Sequence, residues 1–146
     1  MRGTPVRLDF PSSLDVLDLV HAVSDQMGRA AGLDDEAVHW LNVAVRECVI
    51  NAITHGNRND AAKRVHLEFT PFEDQGGPGV SIRVRDEGPG FDPQDLPDCC
   101  APENLLKSSG RGIFLIRSFM DKMDLRRAPE GGMEVVMVKR AQPQQA

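Results

Sequence analysis

The sequence has no apolar run of about 18 residues, the length that a membrane-spanning helix needs. Its start, MRGTPVRLDF, has no apolar core of the kind that signal peptides carry. It also has no basic patch with interleaved aromatic residues, and the formal net charge is -5 with a pI near 5.3. We therefore expect a cytoplasmic protein that partners neither membranes nor nucleic acids.

Cysteine is scarce, and the chain has no CxxC pair. The three cysteines are Cys48, Cys99 and Cys100. Because an odd number with two adjacent members is a poor disulfide framework, we expect reduced thiols. A metal or redox role for the adjacent pair would need further ligands, and none lies at a usual spacing.

Neither an internal repeat nor a domain boundary is visible. The 146 residues, 40% hydrophobic and 27% charged, suit one domain with a full-sized core. We predict one domain over residues 1–140, followed by a disordered tail, AQPQQA, over residues 141–146.

Hydrophobic spacing predicts one strand and two helices in the first part of the chain. Val6, Leu8 and Phe10 alternate with charged residues and predict a short edge strand that Pro11 stops. A first amphipathic helix is expected from Ser12 or Ser13 to about Gly32, and a second from a cap at Asp34 or Asp35 to a stop at Gly56. The apolar positions are Leu14, Leu17, Val20, Met27 and Ala30 in the first helix, and Val38, Leu41, Val45, Cys48 and Ala52 in the second.

The second part of the chain reads as strands around an irregular stretch and a helix. Residues 65–70 and 80–85 alternate apolar with polar side chains and predict two antiparallel strands joined by FEDQGGPG. Residues 92–109 contain three prolines and predict a mobile loop long enough to form a lid. Segments 125–127 and 134–139 predict a closing hairpin that turns at Gly131-Gly132. A helix before this hairpin has apolar spacing at Ile113, Ile116, Met120 and Met123.

A polar stripe marks the second helix, in the segment RECVINAITHGN. Glu47, Asn51 and His55 are four residues apart, so at helical spacing they share one face of an otherwise apolar helix. One interpretation is a metal-nucleotide site, with the amide oxygen of Asn51 as a Mg²⁺ ligand and Glu47 as a general base. The other is a helix with three satisfied polar residues and a C-cap at Gly56.

Two glycine-rich segments follow at element ends. The strand over residues 80–85 runs into Asp86-Glu87-Gly88-Pro89-Gly90, which places an acidic side chain where the strand leaves the sheet. Ser108-Ser109-Gly110-Arg111-Gly112 opens a helix, and backbone N–H groups at such a start favour anions. Each motif alone is weak evidence.

Taken in order, these motifs resemble the histidine-kinase-like ATPase family, which gyrase-type topoisomerases and histidine kinases share. The resemblance covers roughly residues 8–140. It implies an α+β fold, a two-layer α/β sandwich with a mixed, mostly antiparallel sheet and helices on one face. It also implies ATP and Mg²⁺ as cofactors.

The resemblance implies a role for each motif residue. Glu47 matches the catalytic base, Asn51 the Mg²⁺ ligand, and Asp86 the carboxylate that accepts a hydrogen bond from the adenine amino group. Gly88 and Gly90 match the glycines that leave room for the adenine ring. The phosphate-holding segment is matched by Gly110, Arg111, Gly112 and Ile113. Arg111 either contacts a phosphate oxygen or faces solvent on the lid.

Within this family the chain is most similar to the bacterial anti-sigma-factor serine kinases. The similar segments are RECVINAITHGN, DEGPGFDP, SSGRGIFLIRSFMDKM and GMEVVMVKR. The implied function is Mg-ATP-dependent phosphorylation of a small antagonist protein, with a sigma factor as a second partner and a homodimer as the assembly. The alternatives are a non-catalytic nucleotide-binding regulator and an interaction domain without nucleotide. Met133 departs from the family, which more often has a small hydroxyl residue there.

Overall fold

The computed structural model describes residues 3–89 and 118–141. Its first elements are strand β1 (Val6–Pro11), a 3₁₀ turn (Leu14–Val16), helix α1 (Leu17–Ala30) and helix α2 (Asp35–Asn51). A π-helical turn (Ala52–Gly56) continues α2. Strands β2 (Arg64–Asp74), β3 (Gly77–Arg85), β4 (Lys122–Arg127) and β5 (Met133–Arg140) complete the described fold.

The five strands form one sheet in the order β1-β2-β3-β5-β4, and every pairing is antiparallel. Strand β1 is at an edge, as predicted, and the β4–β5 hairpin closes the other side. Within the described residues the sheet is thus wholly antiparallel rather than mixed. The α+β class with helices against one face of the sheet is confirmed.

The core lies between the two helices and one face of the sheet. Because side chains alternate along a strand, the same register that buries this face turns the other face away from the helices. The buried side chains on the helix side include Val38, Leu41, Val45, Val49, Val65, Leu67, Phe69, Ile82 and Met137. The opposite face carries ion pairs instead, such as Arg7 with Glu68 at 2.6 Å and Arg126 with the buried Glu134 at 2.6 Å.

Two predicted capping residues act as caps, Ser13 on the 3₁₀ turn before α1 and Asp34 on α2, whereas α1 itself begins after Val16 without a side-chain cap. Ser13 accepts a hydrogen bond from the N–H of Asp15, and Asp34 accepts one from the N–H of Ala37 at 2.8 Å. The buried face of α1 differs from the prediction, because Leu14 is 50% exposed and Ala30 is also exposed. Small residues at Ser24 and Gly28 are buried instead, which lets α1 approach α2 closely.

One of two predicted helix ends is wrong. The second helix does stop at Gly56, where its π-helical turn ends. The expected C-cap at Gly56 is not a left-handed cap, because the helix changes to π-helical hydrogen bonding there and Asn57 follows it with right-handed angles. The helix expected to reach Met123 ends earlier, since Met123 lies in β4 opposite Met137. No helix in the described ranges is long and apolar enough to cross a membrane.

Candidate active site

The candidate site lies where the end of α2 meets the residues that follow β3. Gly56 packs so closely on Asp86 that a Cβ at position 56 would overlap the carboxylate Oδ2 and Cγ. A Cβ at Gly88 would overlap the carbonyl oxygen of Gly56, and one at Gly132 would overlap the carbonyl oxygen of Asp86. Three glycines therefore let three separate segments close on one carboxylate.

The Asp86 carboxylate is held in one orientation by backbone groups. Its side chain is buried, and Oδ1 accepts hydrogen bonds from the N–H groups of Gly88 at 2.9 Å and Met133 at 3.1 Å. The N–H of Asp86 donates to the carbonyl oxygen of Met133 at 3.0 Å. Among the described residues both bonds to the carboxylate fall on Oδ1, so Oδ2 is the oxygen beside Gly56.

Glu47 and Asn51 lie one helical turn apart on α2, and both are partly buried. Residues between them, such as Cys48 and Val49, are fully packed in the core. Within the described part of the chain, no hydrogen bond joins either polar side chain to another residue. A partly buried carboxylate and carboxamide that have no hydrogen-bond partner among the described residues are available to bind something else.

His55 leaves the polar stripe that the sequence predicted. The π-helical turn shifts the register at this point, with the N–H of Asn57 donating to the carbonyl oxygen of Ala52 at 2.8 Å. His55 is consequently exposed, while Glu47 and Asn51 keep their shared face. Single π-helical turns of this kind occur often at functional sites.

Two residues near the site, Cys48 and Glu87, have shifted pKa values with identifiable physical causes. Burial raises the pKa of the Cys48 thiol to about 12, and the neighbouring charge of Glu47 acts in the same direction. A hydrogen bond from His66 lowers the pKa of the Glu87 carboxyl, and the N–H of Arg64 adds to this effect. Cys48 is therefore an inert packing group, whereas Glu87 is ionised beside Asp86.

The chain that leads into β4 is anchored against α2. The rings of Phe119 and Trp40 are stacked, with centroids 3.6 Å apart and planes 5° from parallel. The carbonyl oxygen of Phe119 accepts a hydrogen bond from Nζ of Lys139 at 2.6 Å. Residue 118 onward is thus fixed to both the helix layer and the sheet.

The structure brings together part of the predicted site. Asp86 and Gly88 lie against the end of the helix that carries Glu47 and Asn51. The remaining predicted residues lie outside the described ranges, namely Gly90, Gly110, Arg111, Gly112 and Ile113, as do the predicted lid and the Cys99-Cys100 pair.

Sequence reasoning gave no role to Asn57, although it is among the few buried polar residues of the described chain. Its side chain contacts the backbone of Glu87 and Arg64 and the hydroxyl of Ser12. The one signal in the sequence is a polar residue directly after the predicted helix stop, and many surface residues share that position. Gly132 was identified as a turn residue, without its contact to Asp86.

The chain belongs to the histidine kinase-like ATPase domain family, whose model matches residues 10–139. It is 26% identical over 140 residues to the serine-protein kinase RsbW of Listeria monocytogenes serovar 1/2a, and the aligned region covers 92% of this chain and 85% of that relative. It is 33% identical over 103 residues to the anti-sigma F factor of Oceanobacillus iheyensis, covering 68% of this chain and 66% of that protein.

A solved structure is similar in fold. The crystal structure of the RsbU and RsbW domains of a Mycobacterium tuberculosis protein superimposes with a TM-score of 0.65 at 16% sequence identity. The superposition covers 98% of this chain and 34% of that one. The family resemblance and the fold class expected from the sequence motifs are therefore confirmed.

Proposed function

We propose that this chain is an ATP-binding anti-sigma factor and protein serine kinase that phosphorylates a small antagonist protein. The observation that carries the proposal is the packing of Gly56 on Asp86, which joins a fixed carboxylate to the helix that holds Asn51 and Glu47. The names of the relatives, a serine-protein kinase and an anti-sigma factor, support the activity and the class of partner.

The spacing along α2 suits a nucleotide laid across the helix end. Gly56 marks the level of the Asp86 carboxylate, and Asn51 lies five residues before it. A single π-helical turn separates these two residues along the axis, and Glu47 lies one α-helical turn, about 6 Å, further. A base at Asp86 would therefore direct its phosphates toward Asn51, and the reacting phosphate toward Glu47.

The residues fit a Mg²⁺ ion shared with phosphate. No group of three or more His, Cys, Asp or Glu residues within the described ranges could hold a metal ion. Mg²⁺ commonly takes one or two protein oxygens and completes its shell with water and phosphate oxygens. The amide oxygen of Asn51, which is partly buried and has no partner within residues 3–89 and 118–141, suits that role. When bound, the ion would neutralise charge on the phosphates.

The chemistry assigned to the chain is proton removal and positioning. Glu47 accepts the proton of the substrate serine hydroxyl, whose oxygen attacks the γ-phosphorus of ATP. The bond from that phosphorus to the bridging oxygen breaks, and ADP leaves with both electrons of the bond. Such transfer depends mainly on alignment and on stabilisation of charge.

Nucleotide binding is tested first on the protein alone. Mg-ATP at 100 times its Kd should stabilise the fold by about 2.7 kcal/mol, which a thermal or urea unfolding curve detects. Unchanged unfolding at millimolar Mg-ATP would favour the interaction domain without nucleotide. Recovery of partners from cell extract with and without Mg-ADP then supplies the antagonist and the sigma factor for the transfer assay.

The role of Glu47 is tested with Glu47→Gln, which removes the base and keeps the size of the side chain. We expect loss of phosphoryl transfer from labelled ATP to the antagonist, with ATP affinity close to that of the wild type. Glu36→Gln, an exposed change in the first turn of the same helix, is the matched control. Phosphoryl transfer at the wild-type rate by the Glu47 variant would show that Glu47 is not the catalytic base. No transfer by the wild type would favour the non-catalytic regulator.

The role of Asn51 is tested with Asn51→Ala. Nucleotide affinity in Mg²⁺ should fall to the value measured in a chelator, because the ion loses its protein ligand. Asn42→Ala is the control, since Asn42 lies on the same helix and contacts Asp25 of α1 at 3.4 Å. Calorimetric titration showing equal Mg-ATP affinity in the Asn51 variant and the wild type would reject the metal role.

Assembly and location complete the proposal. We propose a homodimer, as the family resemblance implies, and a cytoplasmic site of action in a bacterium. Sedimentation equilibrium would establish the first, and fractionation of cells would establish the second. A monomer at micromolar concentration, or recovery with membranes, would contradict the respective statement.

A further inference from the structure

We propose that Asn57 is a positioning residue that holds Asp86 in place for recognition of the adenine base. The inference rests on the proposed function, because it concerns the same nucleotide site. Asn57 touches no catalytic group directly. Its side chain acts through the peptide that follows Asp86.

Asn57 uses its side-chain amide fully. It is 1% exposed. Its Oδ1 accepts a hydrogen bond from the N–H of Glu87 at 2.7 Å, and its Nδ2 donates to the hydroxyl of Ser12 at 2.9 Å and to the carbonyl oxygen of Arg64 at 3.0 Å. A buried group that needs one acceptor and two donors in these directions is matched by few side chains other than an amide.

The amide takes the place of a missing strand partner. Along β3, successive peptide groups face β2 and β5 in turn, and the N–H of Asp86 still bonds β5 through Met133. The next N–H, that of Glu87, faces the β2 side, and there it meets Oδ1 of Asn57. Asn57 thus prolongs the sheet by one hydrogen bond, directly after the carboxylate that the proposed function assigns to the base.

Asn57 also holds Gly56, which lies against Asp86 on the opposite side of the proposed adenine site. It follows Gly56 directly, and Gly56 packs against Oδ2 and Cγ of Asp86. The bonds from Asn57 to Arg64 and Ser12 tie this helix end to the start of β2 and the end of β1. Loss of the amide would free the Glu87 peptide and loosen Gly56 at the same time.

The Glu87 side chain does not replace this support. Its carboxylate accepts hydrogen bonds from the N–H of Arg64 and from Nε2 of His66, both at 2.8 Å. These contacts hold the end of the side chain, whereas the peptide between residues 86 and 87 is held by Asn57. The position of the Asp86 carbonyl and carboxylate depends on that peptide.

The test compares Asn57→Ala with the wild type in Mg-ATP and Mg-GTP titrations and in steady-state kinetics. One lost hydrogen bond in the support of the carboxylate should weaken ATP binding about tenfold. We expect a KM for ATP about tenfold higher, a kcat within about twofold of the wild type, and a smaller ATP-to-GTP affinity ratio. A purely structural role would lower stability without changing base selectivity.

Ser12→Ala is the matched control, because it removes a partner of Asn57 Nδ2 and leaves the bond to Glu87 intact. It should lower stability, with a much smaller loss of ATP affinity than in Asn57→Ala, because Nδ2 keeps its bond to Arg64 and Oδ1 its bond to Glu87. Should Asn57→Ala fail to fold, Asn57→Ser is measured in the same way. A serine side chain leaves less empty space than alanine, but it is shorter than asparagine and does not reach the N–H of Glu87.

The outcomes separate the two proposals. Wild-type protein that binds neither nucleotide overturns the proposed function, and this inference with it. Wild-type protein that prefers ATP, with an Asn57 variant of equal affinity and equal ATP-to-GTP ratio, overturns the positioning role alone. Equal losses in the Asn57 and Ser12 variants would likewise contradict it, because they would trace the effect to the Ser12 contact.

Discussion

Replacing Gly56 with alanine tests how the site is built, because this position decides how closely α2 approaches Asp86. An added Cβ would overlap Oδ2 and Cγ of Asp86 and lie 2.9 Å from its Cβ. The carboxylate cannot simply rotate away, since Oδ1 is held by the N–H groups of Gly88 and Met133. Either the helix end or the carboxylate must move.

Two opposing effects set the magnitude. Alanine is favoured over glycine in a helix by up to about 1 kcal/mol, and Gly56 needs no left-handed angles. Forcing a methyl group into a packed site costs about 1–3 kcal/mol. Subtracting a gain of about 1 from a cost of about 1–3 kcal/mol, we expect the free energy of unfolding to fall by up to about 2 kcal/mol. ATP affinity should fall by roughly 2 kcal/mol or about 30-fold, because the displaced carboxylate loses a charge-assisted bond to the base.

Urea unfolding and ATP titration measure the two quantities separately. Gly76→Ala is the control, since the atoms nearest to an added Cβ there are the end of the flexible Arg140 side chain, at 2.8 and 3.2 Å. Its unfolding free energy should stay within about 0.5 kcal/mol of the wild type. A Gly56 variant with wild-type ATP affinity would refute the view that close packing of α2 on Asp86 shapes the base site.

Three further predictions concern stability and reactivity. Gly28→Ala should lower the free energy of unfolding in urea by about 1 kcal/mol, because the added Cβ would lie 2.9 Å from the side chain of Leu41 on α2. ATP affinity should not change, because neither residue contacts Asp86, and a stabilised variant would contradict the prediction. Cys48 should resist iodoacetamide at about pH 8 in the native protein and react after denaturation, as peptide mass analysis can show, because burial raises its thiol pKa to about 12; native labelling would refute it. The hydrogen bond from His66 lowers the pKa of Glu87 below 4.5, so Glu87 contributes stability that is present above about pH 4.5 and is lost as the pH falls through the lowered pKa. The difference in urea stability between the wild type and Glu87→Gln should therefore shrink on acidification. A difference that stays constant with pH would disprove this prediction.

The sequence predicted the strands well because their alternation is a local property. Val65, Leu67 and Phe69 face the helices as expected, since period-two burial needs only one covered face. The caps at Ser13, on the 3₁₀ turn before α1, and at Asp34, on α2, were also predictable, because a capping side chain acts within three residues of itself.

The errors arose where a distant partner decides the structure. The three-residue spacing from Met120 to Met123 fits a helix, yet Met123 pairs across the sheet with Met137. The helix does stop at Gly56 as predicted, but the glycine is needed for contact with Asp86, which is 30 residues later in the chain, and not for a left-handed cap. Local pattern carries no information about what faces a glycine, so Asn57 and Gly132 could not be placed at the site either.

The arrangement around Asp86 also bears on which base the site would accept. Oδ1 is occupied by two backbone N–H groups, and the space beside Oδ2 exists because residue 56 has no Cβ. A base amino group can donate to Oδ2, whereas the carbonyl of guanine would set two acceptors against each other in a buried site, at a cost of about 1–3 kcal/mol. Since the carboxylate is oriented before any nucleotide arrives, little of that selectivity would be lost to rearrangement. Preference for ATP over GTP would then be a property of the helix–sheet packing itself, and it would weaken with any change that moves Gly56 or the Glu87 peptide.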